Sequence, residues 1–151
     1  MRAAFAGLIS ISILAAPTPD AYALPLANIA VDTVRGRHSF RVEIAGDHAS
    51  QEKGLMFRKK LAADSGMLFD FHTTVMTTFW MKNTILPLDI IFIRSDGAIS
   101  SIAANAVPFS EAPIPSGEPV RAVLELNAGR AHALGLAPGD VVHATIFNNA
   151  R

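Results

Sequence analysis

Residues 77–93, which read TTFWMKNTILPLDIIFI, join a polar and aromatic segment to a short apolar run. The apolar run, from Leu88 to Ile93, has the length and composition of a buried β-strand, and Pro87 suits the start of such a strand. Asp96-Gly97 then forms a strong two-residue hairpin signal, and residues 98–103 are predicted to return as the partner strand. The stretch therefore predicts an antiparallel hairpin with an unusual polar segment directly before it.

Similar short apolar segments, separated by Gly, Pro and Asp, occur on both sides of this hairpin. Further strands are predicted at 29–34, 39–45, 67–71, 120–126 and 141–147. Residues 107–119 contain four prolines and no periodicity, and they are predicted to form a long loop. There is no internal repeat and no βαβ rhythm. We therefore expect an α+β fold, predominantly antiparallel β, in which a small open barrel-like sheet is joined by two short helices.

Those two helices are predicted from their capping residues. Asp47 is expected to be the N-cap of a helix at 48–55, because its carboxylate can accept hydrogen bonds from exposed N–H groups of the first turn. Asn127 is expected to play the same part for a helix at 128–134, which ends at Gly135. Both helices are short, so we expect the strands to supply most of the core.

The N-terminus has the pattern of a secretory signal peptide. A positive charge at Met1-Arg2 precedes an uncharged run at 3–16, and Ala21-Tyr22-Ala23 offers small residues for cleavage. The run is shorter than the roughly 20 apolar residues of a membrane-spanning helix, so an uncleaved anchor is the less favoured alternative. We therefore expect a signal peptide at 1–23 and a single domain at 24–151. After cleavage near Ala23 that domain would be periplasmic or extracellular, without membrane insertion.

Charge and cysteine content narrow the class of partner. The chain has 13 basic and 13 acidic residues, and loss of Arg2 and Asp20 with the signal peptide leaves the mature domain neutral. No basic patch is evident, which argues against nucleic acid as a partner. The chain has no cysteine, which excludes disulfides, a thiol nucleophile and a lipidated N-terminus. The domain therefore depends on its hydrophobic core.

No recognisable catalytic motif is present, whether GxSxG, HExxH or a Walker loop, so the sequence does not decide whether the chain is an enzyme. The histidines are well separated, and His143 is interpreted as a structural residue. No metal site and no cofactor is predicted. The methionines could ligate Cu(I) in an exported protein without thiols, although filling of the core is the favoured interpretation. These methionines are Met56, Met67, Met76 and Met81.

The segment FWMKNT, residues 79–84, holds the single tryptophan together with a cation, an amide and a hydroxyl. If the segment is extended, Trp80 and Lys82 share a face, where they could bind a ligand through apolar contact and one charged hydrogen bond. Asp89 interrupts an apolar face, and Arg58 and Lys82 are its natural partners. The candidate ligand-binding residues are Arg58, Trp80, Lys82, Asn83, Asp89 and Glu125. Alternatively, five of them form a structural polar network that fixes the register of the sheet, namely Arg58, Lys82, Asn83, Asp89 and Glu125.

Several of these motifs together resemble one family, the bacterial and archaeal domain of unknown function 192. The motifs are GLMFR at 54–58, GMLFDF at 66–71, FWMKNT at 79–84 with PLDI at 87–90, and VLELNAG at 123–129. The resemblance covers roughly residues 28–148. It implies a compact β-rich fold, often exported, and brings no activity or cofactor with it. The chain departs from the family at 48–52, HASQE, where acidic residues are frequent.

Three functions remain open on the sequence alone. The first is a binding or accessory module whose polar and aromatic pocket lies around 79–84. Residues 107–119 would form its rim or a lid, and its ligand would be a small molecule or a peptide. The second is a carboxylate-dependent hydrolase that uses Asp89 and Glu125 in one cleft, with Lys82. The third is a structural or copper-binding protein with methionine ligands. The sequence predicts no oligomeric state.

Overall fold

The computed structural model describes residues 23–150, which contain nine β-strands and two α-helices. The strands are β1 (Leu26–Thr33), β2 (Gly36–Ala45), β3 (Ser65–Val75), β4 (Thr78–Phe79), β5 (Leu88–Ile93), β6 (Ile99–Ala106), β7 (Ile114–Pro115), β8 (Val120–Asn127) and β9 (Val141–His143). The helices are α1 (His48–Lys53) and α2 (Arg130–Leu134). Apart from Ala23, the predicted signal peptide lies outside the described residues.

Seven strands form one sheet in the order β6-β5-β8-β3-β2-β1-β9, and β4 pairs with β7 in a small second sheet. The β2–β3 pair is parallel and the other pairs are antiparallel. The large sheet curls into an open half-barrel, since its edges meet at one end. There Ala98 and Val141 form an isolated bridge, and the Val142 N–H donates to the Gly97 carbonyl at 2.8 Å. The predicted fold class is confirmed.

Side chains that alternate along the strands divide the interior into two cores. We call the first the inner core, because all seven strands of the large sheet contribute to it; it includes Val31, Phe40, Leu68, Ile91, Ile99, Leu124 and Val142. The second, the outer core, lies on the other face of β3, β5 and β8 beneath the segments that cover them; it includes Met67, Phe69, Met81, Leu88, Phe92 and Val123. Burial of each such large side chain stabilises the fold by about 2 kcal/mol.

Helix α1 forms as its sequence predicts. The Asp47 carboxylate accepts a hydrogen bond from the Ser50 N–H at 2.9 Å, and the Ser50 hydroxyl accepts one from the Asp47 N–H at 3.2 Å. This reciprocal pair is a capping box, which satisfies two backbone donors at the start of the helix. The helix ends at Gly54, whose φ of 47° favours glycine. The segment therefore reaches the outer face of the sheet with a fixed orientation.

The N-cap prediction for α2 was wrong. Gly129 occupies the N-cap position, whereas Asn127 lies in β8 and its amide donates to the carbonyls of Leu61 and Ala62 at 3.0 and 3.1 Å. The reason is that a more distant acid already supplies the acceptor: the Asp89 carboxylate accepts from the Ala131 N–H at 2.8 Å. Local sequence alone does not show such a cap, because 42 residues separate the two partners.

The last predicted strand, 141–147, is shorter than expected. It ends at His143, and Thr145–Phe147 form one turn of 3₁₀-helix. The side chain of Asn149 explains the change: its oxygen accepts from the Ala144 N–H at 3.0 Å, and its amide donates to the Val142 carbonyl at 3.0 Å. These backbone groups are therefore not available for a continued strand.

Within residues 23–150, no helix is long and apolar enough to cross a membrane.

Candidate functional site

The FWMKNT segment is extended only at its start. Phe79 pairs with Ile114 of β7, and the Met81 N–H donates to the Ser110 carbonyl at 2.8 Å, so the proline-rich loop holds the segment from behind. Lys82 and Asn83 then form a turn, and Asn83 has a φ of 54°. The expected alternation of faces therefore ends before the turn. Asn tolerates this left-handed conformation better than most residues do.

Buried and exposed side chains lie next to each other in this segment. Met81 is fully buried in the outer core, whereas the Trp80 side chain is 48% exposed. The Lys82 Nζ lies 5.0 Å from the centre of the Trp80 ring, which is a cation–π contact. Thr84, which is buried, donates its hydroxyl to the Lys82 carbonyl at 3.1 Å. Met81 thus fixes the backbone while Trp80 remains accessible to a ligand.

A cavity of about 270 Å³ lies between α1 and the FWMKNT segment, above the outer face of β3 and β8. Four elements contribute to its wall. Side chains of this wall include Gln51, Leu55, Phe69, Phe71, Thr77, Phe79, Trp80, Thr84 and Glu125. Two of the rings are packed edge to face, since Phe69 and Phe79 have their centres 5.0 Å apart at an angle of 85°. The wall thus combines four aromatic rings with hydroxyl groups and one deeply buried acid.

Glu125 is that acid. In the middle of β8 it pairs with Met67 of β3 and Ile90 of β5, so its side chain points to the outer face together with theirs. The residue is only 5% exposed, and within residues 23–150 no hydrogen bond or ion pair joins its carboxyl group to another residue, so the small accessible surface of its oxygens faces the cavity. Burial raises the pKa of Glu125 to about 8. At neutral pH the group is therefore mostly protonated, able to donate one hydrogen bond or to ionise when a cation binds.

Asp89 lies on the opposite face of the same sheet. It pairs with Leu126, an inner-core residue, and is fully buried. Its two oxygens accept hydrogen bonds from the backbone N–H groups of Asn105 and Ala131, at 2.9 and 2.8 Å. Asp89 therefore links β6 to the start of α2. Because Asp89 and Glu125 face opposite sides of the sheet, they do not share a cleft, and a two-carboxylate hydrolase built on them has no geometric basis.

Arg58 also lies away from the cavity wall. Its guanidinium forms two hydrogen bonds with the Glu43 carboxylate, at 2.6 and 2.5 Å. This bidentate pair joins the loop after α1 to strand β2. Arg58 contacts neither Asp89 nor Lys82 among the interactions of the described chain, so the polar network expected around Asp89 consists of backbone amides instead.

Asn83 is at the margin of the site. Its carbonyl accepts from the Phe57 N–H at 2.9 Å, and its amide nitrogen lies 3.9 Å from the sulfur of Met56, a cavity residue. Of the six predicted site residues, the structure therefore brings Trp80 and Glu125 together in one cavity wall. Lys82 and Asn83 flank that wall, and Arg58 and Asp89 lie elsewhere.

Two of the methionines and one of the histidines have structural surroundings. Met67 and Met81 are fully buried in the outer core, as the core-filling interpretation predicts. His143 contacts the Asp32 carboxylate at 2.7 Å and the Asn149 carbonyl at 3.0 Å. In the part of the chain that the structure describes, no group of three or more His, Cys, Asp or Glu side chains is arranged to hold a metal ion.

Sequence reasoning missed several cavity residues. Gln51 of α1 and Phe69, Phe71 and Thr77 line the wall, but none of them was among the candidate site residues, although Phe69 and Phe71 belong to the GMLFDF motif. The available signal was the alternation of Phe69 and Phe71 in a predicted strand, which places both rings on one face. The position of α1 above that face is a tertiary contact that the local sequence does not encode.

Comparisons with known proteins agree with this fold. The sequence model of the family called domain of unknown function 192, described as "Uncharacterized ACR", matches residues 30–144 of this chain. A crystal structure of a proposed transcription regulator from Sinorhizobium meliloti 1021 has 48% sequence identity and a TM-score of 0.81, covering 83% of this chain and 98% of that one. A protein of unknown function from Novosphingobium aromaticivorans DSM 12444 has 47% identity and a TM-score of 0.80, covering 87% and 94%. No curated protein matches. The chain belongs to the domain of unknown function 192 family.

Proposed function

We propose that this chain is an exported binding domain that holds a small molecule in the cavity beside FWMKNT. The observation that carries the proposal is the carboxyl group of Glu125, which is buried in the cavity wall without a partner in the described chain. Burying an ionisable group without a hydrogen bond destabilises a fold. Such a group at the wall of a cavity is explained when a ligand supplies the missing partner.

The aromatic residues around Glu125 support the same proposal. Trp80 offers accessible apolar area beside the buried acid, and Phe71 and Phe79 extend that area along the wall. Aromatic walls with a few convergent polar groups are typical of small-molecule sites. The neutral charge of the chain favours such a ligand, or a peptide side chain, over a nucleic acid.

The site is also held in place before a ligand arrives. The Ser116 N–H donates to the Thr77 carbonyl at 2.9 Å, and the Met81 N–H donates to the Ser110 carbonyl at 2.8 Å. These bonds tie the FWMKNT segment to the proline-rich loop, whose residues do not line the cavity among those described. The loop thus acts as a support, and a rigid wall reduces the entropy that binding must overcome.

Export is part of the proposal, and it has its own test. If residues 1–23 are a signal peptide, the protein recovered outside the cytoplasm begins at Leu24. N-terminal sequencing of that protein checks the cleavage site. A chain that keeps Met1 and stays in the cytoplasm would contradict export without affecting the binding proposal.

Binding is tested by native mass spectrometry of the purified protein and by thermal-shift screening of a small-molecule library. Trp80 is the only tryptophan and lines the cavity, so its fluorescence reports on each hit. We expect at least one compound to bind the wild-type protein. Glu111→Gln, a matched change at an exposed acid, should bind that compound equally well. Glu125→Gln should bind it at least about tenfold more weakly, as the loss of one charged hydrogen bond predicts. Equal binding to both variants, or no hit at all, would contradict the proposal.

A further inference from the structure

The charged groups of the cavity are arranged asymmetrically. Glu125 is the acid at the buried wall, and the other titratable lining residues, His48, Glu52 and Lys53, all belong to α1. His48 and Glu52 are largely exposed and lie 3.9 Å apart as a pair at the rim. Among the described residues that line the cavity from β3 and β4, none is titratable. The depth of the cavity therefore carries one acidic group.

No cation of the described chain neutralises that acid. Burial is the single cause of the raised pKa of Glu125, and no charged neighbour among the described residues contributes to it. Lys82, the cation of the FWMKNT segment, lies against the Trp80 ring, with its Nζ 5.0 Å from the ring centre. The missing counter-charge is thus left for a ligand to supply.

The walls around Glu125 favour the same kind of charge. Four aromatic side chains line the cavity, and the negative faces of aromatic rings attract cations. They are Phe69, Phe71, Phe79 and Trp80. A carboxylate among aromatic rings combines an ion pair with cation–π contacts, which is how organic ammonium groups are recognised in apolar surroundings.

Building on the proposed function, we propose that the ligand carries a positively charged nitrogen, an organic ammonium group, which binds the Glu125 carboxyl group between the aromatic walls. The volume of about 270 Å³ limits its size. A cavity of about 150 Å³ accepts benzene, so this one accepts a molecule of roughly ten non-hydrogen atoms. A small arylalkyl or alkyl amine fits these limits.

This assignment has a defined pH dependence. The Glu125 carboxyl group must lose its proton to pair with an ammonium ion, and its pKa is about 8 in the free protein. Binding then releases one proton at neutral pH, so affinity rises about tenfold per pH unit between about pH 6 and 7.5. A neutral ligand that accepts a hydrogen bond from protonated Glu125 would show the opposite trend, because its partner is lost as the pH rises.

The experiment compares two probes of the same size, 2-phenylethylamine and 2-phenylethanol, by titration of Trp80 fluorescence at several pH values. The amine stays charged below about pH 9, as alkylamines with a lysine-like pKa do. In the wild type we expect the amine to bind at least about tenfold more tightly than the alcohol at pH 8. Glu125→Gln should remove that preference. Glu111→Gln, the matched change at an exposed acid that does not line the cavity, should keep it.

The outcomes separate this inference from the proposed function. Equal affinity of both probes in the wild type, or amine affinity that falls with rising pH, overturns the ammonium assignment while the cavity remains a binding site. If only neutral library compounds bind, the ammonium assignment is likewise overturned while the cavity remains a binding site. If neither the probes nor any library compound binds, both proposals fail. The probe comparison within the wild type tests the ammonium assignment even if a variant does not fold.

Discussion

Asp89 and Glu125 are buried acids on neighbouring strands of one sheet, yet their surroundings are opposite. Asp89 faces the inner core, where two backbone N–H groups from β6 and α2 occupy its oxygens. Glu125 faces the outer core and a cavity, and its carboxyl group has no partner in residues 23–150. Asp89 pairs with Leu126, and the neighbouring Ile90 pairs with Glu125. The two acids are therefore one position apart along the paired strands, so their side chains point to opposite faces of the sheet.

The contrast between the two acids lies in their partners, because both are buried but only Asp89 accepts hydrogen bonds within the described chain. Satisfied polar groups stabilise and specify a fold, whereas an unsatisfied one costs stability. Asp89 therefore belongs to the architecture of the half-barrel. Glu125 has no such bonds, and its burial, which raises its pKa, is the feature on which the proposed binding role depends.

The largest expected effect is the loss of Asp89. Asp89→Ala removes the acceptor of the Asn105 and Ala131 N–H groups, of which the second is buried, and we expect the free energy of unfolding to fall by about 3 kcal/mol. Urea denaturation measures the change. Asp64→Ala, a matched change at an exposed acid that pairs with Arg130, should cost less than about 1 kcal/mol. Similar costs for both variants would remove the structural role of Asp89.

Glu125 should behave in the opposite way. Because its folded pKa is raised to about 8, the folded protein holds a proton that the unfolded chain has lost above about pH 4.3. Wild-type stability therefore falls as the pH rises through this window, by about 1.4 kcal/mol per pH unit, and Glu125→Gln removes the dependence. From about pH 5.5 to 7 the variant should gain about 2 kcal/mol on the wild type. Urea denaturation at both pH values checks this, and a gain that does not change with pH would contradict it.

A third buried acid sharpens the comparison. Asp70 would have a raised pKa from burial alone, but hydrogen bonds from Arg121 and the His72 N–H lower its pKa overall. The Asp70 carboxylate thus stabilises the folded protein fully above its pKa in the unfolded chain, near 3.9. This stabilisation is lost as the pH falls through its lower pKa in the folded protein. We expect Asp70→Asn to cost about 1 kcal/mol at pH 7 and to cost less in acid. Urea denaturation of both proteins at several pH values below 7 tests whether their free energies of unfolding become equal in acid.

The smallest expected effect on stability is at Trp80. Its ring is about half exposed, so Trp80→Phe should change the free energy of unfolding by about 0.5 kcal/mol, mainly through the weaker contact with Lys82. Ligand affinity should fall by a larger factor, because the ring lines the cavity. Thermal unfolding and calorimetric titration measure the two effects, and a large loss of stability with unchanged affinity would place Trp80 in the core instead.

The elements were predictable from local signals, whereas their contacts were not. The hairpin at Asp96-Gly97 and the capped helix after Asp47 follow from turn and capping chemistry within a few residues. The cap of α2 by Asp89 and the short last strand depend on partners that local patterns do not show. The side chains of FWMKNT do not alternate between two faces as expected, because the chain turns at Lys82-Asn83 and such alternation requires an extended chain.

The same limit applies to the candidate site. Trp80 and Glu125 were predicted as site residues and do share one cavity wall, but Arg58 and Asp89 were grouped with them by charge alone. Charge pairing between distant residues depends on sheet register and loop paths. The structure assigns Arg58 to Glu43 and Asp89 to backbone amides, which leaves Glu125 as the buried acid that faces the cavity.

The most direct test of the proposed role of Glu125 is its pKa in the free protein. A carboxyl ¹³C NMR titration, with the Glu125 signal assigned by its absence from Glu125→Gln, measures that value without a ligand. We predict a midpoint near 8, because the carboxyl group is buried without a partner. A midpoint near the ordinary value of about 4.3 would show that the group is solvated or paired, and would contradict both its cost to the fold and its availability to a ligand.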